Sequence, residues 1–348
     1  SRLVVYGGYV TGLEESGITG VLVPDSVKNS RFSQMVKALG NEFLQGGSGP
    51  IKDTSNTDLI YFRGKIISLW WLAGRPYALD PNTLETTGVA NFHKTYHGNM
   101  CAHARVDSKT GDLFFLDFGQ LHPYVSVNCI SGSGYFKWSK RFELPYARVY
   151  HDILFTDDFV ILMDFPLGYM KNPDSGLMEI GFDSSSPNGF SRIILIDRKN
   201  PDKQMAFKMP ATYVLHGINA WQSEGKVVLH VCKYLDPIVN PAIDDDSIAK
   251  VGHLFLKTVT ARWELDYANY HQSAGVKETV LDDASTEFPR INDNFVGIKN
   301  RYAYSPKLMN SPQVAFESVL KYDLEANSHI ELKYGENLVG EEVVFIPK

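Results

Sequence analysis

The stretch Val149-Tyr150-His151-Asp152-Ile153-Leu154-Phe155-Thr156-Asp157-Asp158-Phe159-Val160-Ile161-Leu162-Met163-Asp164 sets two apolar runs on either side of an Asp-Asp pair. Both runs are short for a helix and rich in β-branched and aromatic residues. Asp bonds readily to its own local backbone and so marks a turn. We read Val149 to Phe155 as a strand that turns at Asp157-Asp158 into a second strand, Phe159 to Met163. The same pattern repeats outward in both directions. Leu59 to Trp70 breaks at Arg63-Gly64, and Gly111 to Leu116 follows the turn Asp107-Ser108-Lys109-Thr110. Ile193 to Ile196, Lys226 to Val231, His253 to Glu264 and Leu320 to Leu324 are further strand patterns. Only Ser30 to Gln45 carries a helical stripe, with Phe32, Met35, Val36, Leu39 and Phe43 on one face, and it reads as a cap packed on the sheets. An all-β chain of this length must manage its edges by closure or radial repetition. The leading expectation is a β-propeller, with a large double-sheet sandwich second. No strict repeat of the common propeller motifs is visible. Asn172 to Asn188 is polar and reads as a long surface loop, and no linker divides the chain, so 1–348 is expected to be one domain.

Composition narrows the function. Of 348 residues 44% are hydrophobic, enough for a sizeable core, and the formal net charge of −6 without a basic run argues against nucleic acid as a partner. Three scattered cysteines, Cys101, Cys129 and Cys232, form no CxxC motif and no disulfide framework. No apolar run approaches the ~20 residues of a membrane helix. The chain is expected to be cytoplasmic or peripheral to a membrane that an apolar loop touches. It opens in the apolar Leu3-Val4-Val5-Tyr6 and closes on Val343-Val344-Phe345-Ile346, which reads as another strand. Both ends therefore read as cut.

Three of the ten histidines stand in similar surroundings, each at a strand edge in a different strand group: His103, His151 and His216. Neutral imidazoles meeting at one point suit Fe(II), Zn(II) or Cu(II). Spacing alone favours three unrelated core histidines, because neither HExxH nor a His-x-Asp pattern accompanies them.

The neighbours of these histidines carry a family resemblance. Ala102-His103-Ala104-Arg105-Val106-Asp107 with Thr110-Gly111-Asp112-Leu113 resembles the carotenoid cleavage oxygenase pattern Ala-His-Pro-Lys-x-Asp with Thr-Gly-Glu-Leu. His151-Asp152 with Thr156 resembles that family's His-Asp-Phe…Thr, and His216 with Asn219-Ala220-Trp221 its His-x-x-Asn-Ala-Tyr/Trp. Pro76 to Pro81, Thr83 to Thr86, Glu287 to Ile291, Arg301 to Tyr304, Lys321 to Leu324 and Glu342 to Pro347 match as well, in family order.

The resemblance implies a seven-bladed β-propeller under a helical and loop dome, of which this chain covers the central part. It implies Fe(2+) held by four histidines. His103, His151 and His216 match the first three, and the fourth is expected beyond Lys348. Glu287 and Glu342 match two glutamates that orient ligand rings through their N–H groups. Leu72 stands where a third such glutamate is usual, which leaves one ligand ring without that support. The implied activity is cleavage of a conjugated C=C bond by O2 into two carbonyl products, on an apolar carotenoid or apocarotenoid. Stilbene cleavage is the alternative within the family, and a non-catalytic propeller binding an apolar ligand is the alternative outside it. Trp71 occupies the place of a lysine used by stilbene-cleaving members, which tilts the reading toward carotenoids. Phe92, Tyr96, Tyr150, Phe165 and Trp221 are candidate channel residues, although plain core packing suits each of them.

Overall fold

In the computed structural model, residue 55 and residues 57–72, 74–119, 123–171, 178–183, 189–235, 256–310, 314–335 and 338–347 are described. Their first sheet holds β1 (Asp58–Phe62), β2 (Lys65–Leu69), β3 (Tyr77–Leu79) and β4 (Thr86–Val89). The second holds β5 (Arg105–Val106), β6 (Leu113–Phe118), β7 (Tyr124–Ile130) and β8 (Phe136–Glu143). The third begins with β9 (Ile153–Phe155) and β10 (Phe159–Asp164). It is interrupted by the hairpin β11 (Leu167–Lys171) and β12 (Met178–Phe182), then completed by β13 (Phe190–Asp197) and β14 (Gln204–Pro210). β15 (Val214–Ser223), β16 (Lys226–Tyr234), β17 (Thr258–Asp266) and β18 (Val276–Asp282) make the fourth. The fifth has β19 (Tyr302–Leu308), β20 (Phe316–Asp323) and β21 (Ser328–Lys333). All pairings within these sheets are antiparallel. The architecture is a β-propeller, with five blades among the described residues.

Side chains of alternate residues in a strand point to opposite faces, and here each face meets a neighbouring blade. Along β10, Val160 and Leu162 enter the layer between the second and third blades, packing with Phe114, Leu116, Val125 and Val127. Phe159, Ile161 and Met163 enter the layer between the third and fourth, with Val227, Leu229, Ala261 and Trp263. Burial on both faces explains why this strand is an unbroken apolar run instead of an alternating one. β8, by contrast, alternates half-buried and exposed residues along its length. An ion pair ties the second blade to the third: Arg198, after β13, donates to Asp107, after β5, at 2.5 Å, and its guanidinium stacks over Phe114.

Several expectations need correction. The strand expected from Val149 begins only at Ile153. Residues 149–152 cross between sheets instead, with the Val149 N–H donating to the Leu167 carbonyl and Asp152 taking the Ile153 N–H. The segment read as a surface loop after Asn172 contains β12, which pairs with β11. Residues 341–347 form no strand, because among the described residues no ladder runs alongside them, and Val344 and Ile346 are exposed. Seven blades and a dome go beyond what is seen: five blades and two short 3-10 turns, Phe92–Lys94 and Asp293–Phe295, occur among the described residues. The helix expected at Ser30 to Gln45 lies outside the described residues, as does the opening strand. Among the described residues no helix is long and apolar enough to cross a membrane.

Candidate metal centre

Each of the three histidines sits at the start of a blade, and the leading strands of those blades meet: β9 lies against both β5 and β15. The local backbone aims each ring differently. His103 has φ +61, a left-handed conformation that costs a non-glycine residue about 1–2 kcal/mol. Its N–H is held by Asp58 Oδ2 at 3.0 Å. His151 lies in the crossing segment just before β9. His216 lies in β15 inside the register shift between Val214 and Gly217, and bulges of this kind re-aim a side chain out of the regular pleat. Gly217 lets β15 approach β9 closely, since a Cβ there would stand 2.6 Å from Leu154 Cδ1.

The three rings converge through Nε2. His216 Nε2 lies 3.1 Å from His151 Nε2 and 3.4 Å from His103 Nε2. Among the described residues these are the one group of three or more potential metal ligands that meet. Nitrogens about 2.1 Å from a shared ion stand about 3.0 Å apart at right angles and about 3.4 Å apart at tetrahedral angles. The observed spacing therefore fits a common cation.

Proton accounting supports the same fit. His216 Nδ1 donates to Glu287 Oε2 at 2.5 Å, so in the neutral ring Nε2 carries the lone pair. That single lone pair can accept one hydrogen, yet two other Nε2 atoms face it. Burial, and then the neighbouring His216 and Arg105 charges, hold the His103 pKa well below its usual value. Burial, followed by His103 and His216, does the same to His151. For His216 burial acts downward too, but the charge and hydrogen bond of Glu287 outweigh it and the net shift is upward. Two neutral rings and a third held by a carboxylate form a donor set that one cation satisfies. Glu287 is fully buried, and its Oε2 also accepts the Phe288 N–H at 2.7 Å.

One ion pair links all three ligand segments. Arg105, two residues after His103, donates from Nε to Asp152 Oδ1 at 3.2 Å and from Nη2 to Oδ2 at 2.6 Å. Asp152, next to His151, takes the N–H of Gly217 at 2.9 Å. Arg105 Nη2 also reaches the Gly217 carbonyl at 3.2 Å, beside His216. Asn219 then pins the loop that follows Ile291, donating to the carbonyls of Phe295 and Ile298 and accepting from Gly297.

Comparisons with known proteins show the family and the fold. The family model described as "Retinal pigment epithelial membrane protein" matches residues 11–348. The chain belongs to that family. Carotenoid 9,10(9',10')-cleavage dioxygenase 1 of Phaseolus vulgaris is 28% identical over 316 residues, covering 85% of this chain and 56% of that protein. The chain thus spans little more than half of that relative's length. Isoeugenol monooxygenase of Pseudomonas nitroreducens is 26% identical over 313 residues, covering 85% and 64%. Among solved structures, Pseudomonas brassicacearum lignostilbene dioxygenase superposes with a TM-score of 0.71 at 22% identity, covering 84% of this chain and 63% of that one. The cobalt-substituted Synechocystis apocarotenoid oxygenase named ACO gives 0.66 at 20%, covering 81% and 60%.

Within this family member the other expected site residues are placed as follows. Glu342 touches none of the three histidines; it is half-exposed and pairs with Arg290 at 3.4 Å. Phe92 packs on Phe62, and Tyr96 stacks on Phe136. Trp221 packs on His230, whose pKa burial and then Arg262 push down to about 3. These three aromatics serve the core. Tyr150 and Phe165 line a crevice beside His151, too tight for a water molecule, with Met163, Tyr213 and Val214, while the Tyr150 hydroxyl donates to buried Asp164 at 2.7 Å. Trp71 lies beside the His151 ring, centroids 6.0 Å apart, and Phe288 beside His216, 4.8 Å apart.

His151 Nδ1 is buried with no hydrogen-bond partner. The resemblance places Leu72 where a glutamate supporting one of the ligand rings is usual. Substituting Leu72→Glu is expected to give that N–H an acceptor and tighten metal binding ~10-fold, by the usual worth of such an outer partner. Competition of the purified protein with a chelator for Co(II) measures it, and an unchanged affinity would show that the ring is supported another way.

Proposed function

We propose that the protein carrying this chain is a non-haem Fe(II) dioxygenase that splits a conjugated C=C bond of a carotenoid or apocarotenoid. The observation that carries the reading is the meeting of three Nε2 atoms from three blades, one of them backed by a buried glutamate. His103, His151 and His216 would hold the iron, and Glu287 fixes the tautomer of His216. Bound iron supplies the activation of O2, whose two atoms end in the two carbonyl products. No side chain is needed as acid or base in that balance. This chain's own part is to hold three neutral donors, keep the site buried, and wall it with Trp71 and Phe288 against water.

The finer reading adds a seven-bladed circle forming one domain and a fourth histidine, none of which is among the described residues. Glu342 would orient that fourth ring, and Phe165 and Tyr150 would line the path of an apolar substrate. A cytoplasmic protein or one resting on a membrane surface suits such a substrate, with no nucleic-acid partner. The likeness to isoeugenol monooxygenase favours a second reading, a phenylpropanoid or stilbene substrate. Trp71 opposes it, since an indole donates a hydrogen bond but cannot supply a lysine's charge to a phenolate.

The test uses the full-length protein. Elemental analysis is expected to find about one iron per chain, and incubation with an apocarotenal under labelled O2 is expected to give two aldehydes or ketones that both carry label. A single isomerised alcohol would point to hydrolytic isomerisation instead. No iron and no product would leave a binding module.

A further inference from the structure

Sequence reading assigned carboxylate support to glutamates alone, but the structure shows another carboxylate at the metal-facing histidines. Asp58, the first residue of β1, reaches from the first blade to the second. Its Oδ2 accepts the His103 N–H at 3.0 Å and lies 4.0 Å from His103 Nδ1. The Asp58 side chain is 12% exposed, so water competes little for that oxygen. His103 is the one member of the trio whose own backbone is left-handed. A conformation that most residues avoid persists only where surrounding contacts hold it, and the Asp58 bond is the contact made to that very peptide. Glu287 does for His216 through the ring what Asp58 does for His103 through the main chain, whereas His151 Nδ1 has no partner.

We propose that Asp58 is a positioning residue for the metal centre, and that its carboxylate oxygen holds the His103 backbone in the turn that aims Nε2 at the other two rings. The inference rests on the metal-centre reading above. Asn offers the same acceptor atom without the charge, whereas Ala removes the acceptor. Asp58→Ala is therefore expected to weaken Co(II) binding at least ~10-fold, the lower end of what losing an outer partner costs. It should also change the intensity of the visible Co(II) bands as one nitrogen leaves the ion. Asp58→Asn is expected to stay within about threefold of the parent in affinity and to keep its bands.

The experiment titrates Co(II) into the full-length apoprotein and both variants, with circular dichroism of each apoprotein confirming the fold. An Asp58→Ala protein that folds and binds Co(II) like the parent would overturn the proposal. So would a folded Asp58→Asn protein that binds Co(II) ~10-fold or more weakly than the parent, because the oxygen tether would then not be what matters; this second arm is read against the parent and stands even where alanine does not fold. A parent protein that takes up no Co(II) would instead overturn the metal-centre reading itself.

Discussion

Replacing His216 with alanine is expected to leave the full-length protein with less than a tenth of the parent's iron and no measurable product. The three ring centroids form a near-equilateral triangle, 4.7, 4.7 and 4.8 Å on a side, and the His216 Nε2 lies 3.1 and 3.4 Å from those of His151 and His103, so its removal takes away one of three converging donors. A second cost appears without metal. Glu287 loses the N–H that its fully buried carboxylate accepts, and a buried charge robbed of its partner costs about 3–5 kcal/mol unless it takes up a proton. The apoprotein should melt lower as well. Glu287→Gln separates the two effects, since it keeps all three ligands and removes the charge. Iron affinity is expected to fall ~10- to 100-fold there, with a smaller change in melting temperature. Iron analysis, product chromatography and thermal melting read all three quantities. A His216→Ala protein that retains iron would remove the ring from the centre.

Asp152→Ala is expected to have a large effect on folding. The carboxylate is fully buried and answers Arg105 twice, the Gly217 N–H and the Ile153 N–H. Alanine removes the acceptor of Arg105 Nε and of the Gly217 and Ile153 N–H groups, leaving Arg105 only the Gly217 carbonyl among the described residues, and breaking a buried pair from one side costs about 3–5 kcal/mol. For domains whose whole stability is about 5–15 kcal/mol, that is a large share, and a fall in Tm of roughly 5–10 °C follows. Metal binding should loosen in parallel, because the lost contacts adjoin His151 and His216 and reach back to the segment of His103. Glu143→Ala is the control. Its pair with Arg141 is exposed on both sides, and such pairs contribute about 0–1 kcal/mol. Equal melting of the two variants would show that the Asp152 cluster ties nothing together.

Much of the fold was legible because strand and turn chemistry are local. Arg63 and Gly64 both take positive φ and close the hairpin that their types suggested, and the Asp157-Asp158 turn joins β9 to β10 as read. The failures have a common cause. Val149 looks like a strand residue by type, but its N–H is taken by Leu167 from outside the sheet, which no local pattern reveals. Val343 to Ile346 have strand composition, yet a strand needs a partner for its hydrogen bonds. At the site, the three histidines stood out only through the motifs around them, since spacing in sequence says nothing about convergence in space. The roles of Arg105 and Asp152 went unassigned, although a buried acid directly after His151 was a usable signal. Asp58 carried none: it lies 45 residues from His103, on another blade.

The two-faced burial of β10 reaches beyond the core it fills. Val160 and Leu162 are gripped from one side, Ile161 and Met163 from the other, so the strand resembles a party wall that neither household can shift alone. Through the turn at Asp157-Asp158 that wall leads directly into β9, and from there to His151. The imidazole of the trio whose Nδ1 is buried without a hydrogen bond thus hangs from a segment whose neighbouring strand is anchored on both sides by aliphatic bulk.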